Sequence, residues 1–389
     1  LGGPEPLVAN ARLTRQGYQL HYGGTALLEH LLPLAHAFNI VPAAFQGLQG
    51  NGTADYNLTV EGDWRLPLVV DPAAPLSVLN GAVSLHNADF QPSYLAEPVH
   101  IATATAAISP AELRWSGITA TVGTTHFTGN LRIPLPCVAA CERRFDLTAA
   151  TVNFGPLAAS LRGEDQGVVR ELINRVRSRS QDWPLLDGTV HIAHLSAGQV
   201  EIANASADLT LRDGKLEVRS LDGRTLGGAL HAMGAVALAS TPSYDAAVQL
   251  RHISAPELAQ LLKEHWGPGM IDLSGDLAMS GTTASSLSNS AKGTLRWSWA
   301  GGALPQLTST PLHRFDRWTG NGRVTKGAIA ITSSEVTNGG ATAVVSGTIG
   351  SDRSLDLKVA SPPKDSTQTE TATATTMSGT LASPVVETQ

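Results

Sequence analysis

The chain has 389 residues, with 33 acidic against 27 basic side chains for a net charge of -6, and it is 42% hydrophobic but only 15% charged. Charge that far below the usual value of about 25%, combined with this much apolar content, excludes wholesale disorder and favours a β-rich chain with many tight turns. The negative balance argues against nucleic acid as the main partner, and the length allows two or three compact domains or one elongated one.

Leu1 opens the chain, so its start reads as a processed end or an excised fragment. Leu7 to Leu13 and Tyr18 to Tyr22 flank Arg15-Gln16-Gly17 as a strand pair. Residues 25 to 38 then place Leu27, Leu28, Leu31, Leu32 and Leu34 at roughly helical spacing, with Pro33 expected to kink that helix or end its first part. The apolar run Leu27 to Pro42 is broken by Glu29, His30, Pro33, His36 and Asn39 and cannot span a bilayer, so any membrane anchor lies outside this piece. Short strands follow: Tyr56 to Val60, a turn at Glu61-Gly62-Asp63, Trp64 to Val70, Ala82 to Leu85, Val99 to Ala107, Glu112 to Trp115, Gly117 to Val122 and His126 to Ile133.

Cys137 and Cys141 are four apart, without the spacing or companions of a zinc site or a redox C-x-x-C pair. They read as a small local disulfide or, alternatively, as two buried free thiols, and the first reading points to an oxidising compartment. Glu164 to Ser180 interrupts the strands with a helical stripe of Val169, Leu172, Ile173 and Val176 beside Arg170, Arg175, Arg177 and Arg179. That basic face either touches anionic lipid headgroups or is a solvated face on a helix packed against the sheet.

Strand grammar is clearest from Leu185 onward. Thr189 to Leu195, Gln199 to Ala203, Ala229 to Leu238 and Tyr244 to Leu250 alternate with turns expected at Asp187-Gly188, Asp222-Gly223 and Gly227-Gly228. In Ala207 to Ser220, Asp213-Gly214 marks a two-residue hairpin turn between alternating segments. With that register Leu211 faces Leu216 and Leu209 faces Val218, so one face is aliphatic, while Asp208 faces Arg219 on the other. Ser254-Ala-Pro-Glu257 reads as a capping box opening a helix that carries Leu258, Leu261 and Leu262 and runs to Gly267. Ile271 to Ser280 and Lys292 to Trp299 are strands, and residues 303 to 318 an amphipathic connection. Gly327 to Thr332, Ala341 to Ile349 and Leu355 to Val359 close the pattern, with TETATATT read as loop or strand. The whole is a long antiparallel meander.

Catalytic constellations are missing. His191 and His194 point to opposite faces of a strand and cannot chelate together, and no nucleophile elbow, phosphate loop or zinc-protease motif occurs. The expectation is therefore a non-enzyme with no catalytic residues, no metal and no cofactor. Trp297 and Trp299 share a strand face and either line a sugar or lipid surface or belong to the core.

Six segments stand in order in the second half: LLDGTVHIAHLSAGQVEIANASADLTLRDGKLEVRSLDGRTLGGALHAMGAVAL (185–238), QLRHISAPELAQLL (249–262), LSGDLAMSG (273–281), FDRWTGNGRVTKGAIAITSSEV (315–336), VSGTIGSDRSLDLKV (345–359) and MSGTLASPVVE (377–387). Together they resemble the C-terminal region of the AsmA-like (AsmA/TamB-type) family of bacterial envelope proteins. The resemblance divides the chain into a β-rich segment, 1–184, with helical insertions near 25–38 and 164–180, and an AsmA-like β-groove region, 185–389.

The resemblance implies an elongated, twisted antiparallel β-sheet, mostly β with a few short amphipathic helices, forming a U-shaped hydrophobic groove. It further implies a periplasmic protein tethered to the inner membrane, whose partners are phospholipid acyl chains and the inner and outer membranes, and which passes phospholipid between them. The meander fits this on physical grounds, because a one-sided apolar sheet must be covered by a second sheet, by closure or by lipid. About 20 strands at about 4.8 Å would make a groove on the order of 95 Å long. Leu209, Leu211, Leu216, Val218, Ile329, Ile331, Leu355, Leu357 and Val359 are the expected groove-lining residues. The competing expectations are a structural or adhesive β-solenoid or sandwich with a closed core, and a glycan-binding β protein using Trp297 and Trp299.

Overall fold

Alternation of apolar and polar residues, the period of a half-buried strand, runs through nearly every part of the chain. In a computed structural model that describes residues 8–37, 49–64, 77–91, 97–135, 141–153, 185–237, 241–281, 283–308, 310–361, 373–380 and 383–388, 76% of the described residues are strand and 7% helical, so the β class expected from composition holds. Among the described residues twenty-one strands are hydrogen-bonded to one another as neighbours in a sheet. Three short helices accompany it among the described residues.

Strands β1 to β8 are Val8–Leu13, Gly17–Leu27, Gln49–Asp63, Ser77–Gln91, Val99–Ile108, Glu112–Val122, Thr125–Pro134 and Glu142–Asn153. Helix α1, Leu28–Ala37, follows β2 directly and retains Pro33 inside it. Strands β9 to β13 are Leu185–Ala197, Val200–Arg212, Lys215–Thr225, Gly228–Ala237 and Ser243–Ser254. Helix α2, Ala255–Leu262, precedes β14, Met270–Ser280, and α3, Ala284–Ser290, precedes β15, Lys292–Gly302. Strands β16 to β21 are Phe315–Thr325, Ala328–Asn338, Ala341–Ile349, Leu355–Ser361, Thr373–Thr380 and Ser383–Thr388. The chain divides into two compact units: residues 1–193 with 208–214, and residues 194–207 with 215–389.

In the first unit, β1 through β8 pair in sequence order, each antiparallel to the next. The register lines up Tyr22, Leu58, Gly81, Ile108, Leu113 and Ile133 in one row, and Gly24, Tyr56, Val83, Ala106, Trp115, Leu131 and Phe145 in the next. Neither row contains a charge. Helix α1 packs against β2 and β3 and places Leu28 and Leu31 on this face, where Tyr56, Val83, Leu85 and Phe90 form the core.

Several expected breaks are absent, for one common reason. Glu61-Gly62-Asp63 continues β3 because Gln19, Tyr18 and Gly17 pair with it. Glu112 to Val122 is a single strand whose irregularity at Gly117 (φ +60°) is a bulge rather than a gap. Asp187-Gly188 lies inside β9, and Asp222-Gly223 lies inside β11, opposite His231 and Leu230. An Asp-Gly pair turns a chain only where the flanking segments can fold back, and in these places a neighbouring strand already supplies the partners.

True turns sit at Asp213-Gly214 (φ +49° and +72°) and at Leu226-Gly227 (φ +50° and +72°), one residue before the expected Gly227-Gly228. Two successive positive φ angles define the type I′ turn, whose twist matches that of the strands it joins. Helix α2 ends at Leu262, before the expected Gly267, because Lys263 adopts the left-handed conformation (φ +58°) that stops a helix. The Ser254 side chain accepts a hydrogen bond from the Glu257 amide at 3.4 Å, so the N-cap half of the expected capping box is present. Trp64 is followed by residues outside the described set, as is the expected Arg-rich helix at 164–180.

Candidate functional site

The second unit turns alternation into a continuous surface. From β11 to β21 each strand pairs antiparallel with the next, and one row of facing residues crosses all eleven: Leu221, Ala232, Val248, Gly275, Leu295, Gly322, Ile331, Gly347, Leu357, Met377 and Val386. Not one is polar. A parallel row, Val218, Gly234, Ala246, Leu277, Gly293, Val324, Ile329, Ile349 and Leu355, is equally apolar over nine strands. At about 4.8 Å per strand, eleven strands place the ends of the longer row about 48 Å apart along the ladder.

Exposure changes along this row. Leu221, Ala232, Gly275 and Leu295 are half-buried and Val248 is 37% exposed, whereas Ile331, Leu357 and Met377 are 8%, 6% and 1% exposed. Neighbours within a sheet screen a side chain only from the sides, so burial this deep requires atoms lying over it. Those atoms come from the chain itself. Leu304, Leu307 and Leu312 from the β15–β16 connection, Ala255 and Leu258 from α2, and Trp266 join Ile253, Ile271, Trp299 and Phe315 in one cluster with Ile331, Leu355, Leu357, Val359 and Met377.

The nine expected lining residues therefore fall into two sets. Leu209, Leu211, Leu216, Val218 and Ile329 are half-buried, while Ile331, Leu355, Leu357 and Val359 are core. The row residues Val248, Leu277, Leu295 and Val324 escaped the sequence reading, although their alternation in β13 to β16 was visible; what the sequence lacks is the register that aligns them. Strand β8 was missed entirely, as was α3.

Trp299 is core, 4% exposed and edge-on to Phe315 at 5.1 Å. Its ring also lies 5.3 Å from Trp266 and 6.2 Å from Trp318. Trp297 is half-buried against the same cluster, so the pair forms packing rather than an exposed platform. Ser334, 4% exposed, is satisfied where it meets this apolar face by accepting a 2.6 Å hydrogen bond from Trp318 Nε1.

The opposite face is polar, and it carries a depression of about 690 Å³. Alanines 235, 247 and 278 and Met233 floor it between longer charged side chains, among them Asp245, Asp276, Lys292 and Arg323. Cross-strand Asp and His pairs punctuate this polar side in each unit: Asp55 with His86 at 3.0 Å, Asp89 with His100 at 2.7 Å, and Asp222 with His231 at 2.7 Å. The Thr25 hydroxyl, donating at 2.6 Å, lowers the Asp55 pKa below its ordinary value, with help from His86. Burial raises the Tyr56 and Tyr244 hydroxyls above theirs.

Among the described residues no group of three or more His, Cys, Asp or Glu side chains could hold a metal ion, and no helix is long and apolar enough to cross a membrane. Cys141 is disulfide-bonded; Cys137 lies outside the described residues. Comparison with family models, with curated proteins and with solved structures finds no match.

Proposed function

We propose that this chain is a passive lipid-binding segment that holds phospholipid acyl chains along the apolar face of its sheet. The observation that carries the reading is the row from Leu221 to Val386, eleven strands without a polar side chain, of which the β11–β15 stretch lies half-exposed. Five adjacent strands whose apolar row is left only partly covered by the chain's own side chains offer a surface for something oily. The disulfide at Cys141 fits an oxidising compartment. On this reading the segment works in the periplasm, tethered to the inner membrane by chain outside this piece, and helps pass phospholipid between the inner and outer membranes. The resemblance to the AsmA-like family points the same way.

The test is lipid analysis of purified protein by mass spectrometry, with Leu216→Asp and Val248→Asp as variants. Co-purified phospholipid, lost in both variants while the fold is retained, supports the proposal. Protein free of lipid, or lipid content unchanged in the variants, overturns it. A closed-core structural role is the second reading, favoured by the deep burial of Ile331, Leu357, Val359 and Met377 under the protein's own side chains.

A further inference from the structure

Glu264 is the one carboxylate among the described residues whose side chain is almost wholly buried, at 3% exposure. Its Oε1 has no hydrogen-bond partner and lies 3.7 Å from Nη1 of Arg353, beyond hydrogen-bond reach, so the contact is ionic. The same Nη1 donates to the Leu262 carbonyl at 3.1 Å. One guanidinium thus holds both the last residue of α2 and the buried carboxylate two residues beyond it.

The two ends of this contact belong to distant strands. Helix α2 leaves the end of β13, whereas Arg353 sits in the turn between β18 and β19. In a flat sheet β13 and β19 would lie about 29 Å apart, six spacings of about 4.8 Å. An eight-residue helix spans only about 12 Å. Along the strands the two ends are apart as well, since α2 leaves the Ser254 end of β13 while Arg353 lies at the end where Lys292, Ala328 and Leu355 sit. Twist and curl of the second unit's sheet together therefore bring Arg353 to Leu262, with Ala255, Leu258 and Trp266 packed on the apolar cluster that includes Leu355 and Leu357.

Burying a carboxylate opposite a single, half-exposed cation is energetically poor compared with an apolar residue in the same place. Arg353 also adopts φ +69°, a conformation disfavoured for a side chain of its kind. Both costs are borne at the point where the covering segment meets the far strand.

We propose that Arg353 and Glu264 form a latch that seats α2 and Trp266 on the apolar face and so determines how much of the row an acyl chain can occupy. With the latch closed, occupancy stops at the covered β17–β20 stretch; with it released, the segment lifts and the row lengthens. The inference rests on the lipid-binding reading for its ligand but not for its mechanics. Arg353→Asn removes the guanidinium while keeping a residue that accepts a left-handed backbone, and Glu264→Gln keeps the buried volume but removes the charge.

The experiment combines amide hydrogen exchange over residues 255–269 with titration of fluorescent fatty-acid analogues of increasing chain length. Exchange in that segment should rise roughly tenfold in either variant, with β6 and β7 unaffected. The longest analogues should bind about threefold more tightly as the open form becomes more populated. Unchanged exchange in both variants overturns the latch whatever the lipid results. Faster exchange with unaltered chain-length preference overturns its role in setting occupancy. Failure of every form, wild type included, to bind any analogue overturns instead the lipid-binding reading beneath it.

Discussion

Gly320 lies directly across the ladder from Trp297, and a β-carbon at Gly320 would come within 2.1 Å of the indole ring. The glycine is the space into which the indole leans. Gly320→Ala should displace Trp297 from its edge-on contact with Trp318, at 6.0 Å, and destabilise the second unit by about 1–3 kcal/mol, the usual range for overpacking. Chemical denaturation followed by tryptophan fluorescence reads both effects, and a native emission spectrum with an unshifted midpoint would refute the argument.

Along the eleven-strand row, the same truncation should have unequal consequences. Leu357→Ala opens a hole under covering side chains and should cost about 2–5 kcal/mol. Val248→Ala removes two methyl groups that already meet solvent and should cost less than about 1 kcal/mol. Equal losses in denaturant midpoint would show that the two stretches are covered alike.

Asp55 gives a pH-dependent effect with a definite sign. The hydroxyl of Thr25, and then His86, depress its folded-state pKa. Its contribution to stability is therefore present above the unfolded-state pKa of about 3.9 and disappears as pH falls through the lower folded-state value. Thr25→Val should move the Asp55 carboxyl back up, as followed by carbon-detected NMR titration. Since Asp55 is largely exposed, the accompanying stability change should be small.

The Asp213-Gly214 turn needs left-handed backbone at both positions. Gly214→Val should destabilise by about 1–2 kcal/mol, while Asp213→Asn, which suits the same conformation, should be nearly neutral. Thermal melts of the two variants distinguish this turn from a tolerant loop, in which both would melt alike.

Much of this fold could be read from residue order because its grammar is local. Asp213-Gly214 and the flanking leucines announce a hairpin without reference to anything distant, and Leu355, Leu357 and Val359 announce a strand with one greasy side. Register is different. Whether Asp222-Gly223 turns depends on His231 and Leu230 being opposite it, and whether Leu357 is open or covered depends on Leu304, Leu307 and Leu312, about fifty residues earlier in the chain. Strand β8 opens on three consecutive charged residues, Glu142-Arg143-Arg144, which break the apolar alternation a strand is read from, yet Arg143 is only 6% exposed. The latch residues gave no signal at all: Glu264 follows a helix and Arg353 sits in a turn at the other end of the strands, and only the twist and curl of the sheet bring them together.

Adjacent strands so alike in pattern raise the danger of mispairing during folding. A slip of one residue between β14 and β15 would bring Asp276 or Arg296 onto the greasy side, which is prohibitive. A slip of two preserves the pattern of sides and must be prevented otherwise. The glycines in the long row supply that check: Gly347 sits between Ile331 and Leu357, and moving either neighbour by two places would set bulk against Val345 or Ile349. Small residues interleaved with large ones thus act as a key that admits one alignment, and replacing Gly347 would damage the accuracy of strand pairing before it altered the chemistry of the surface.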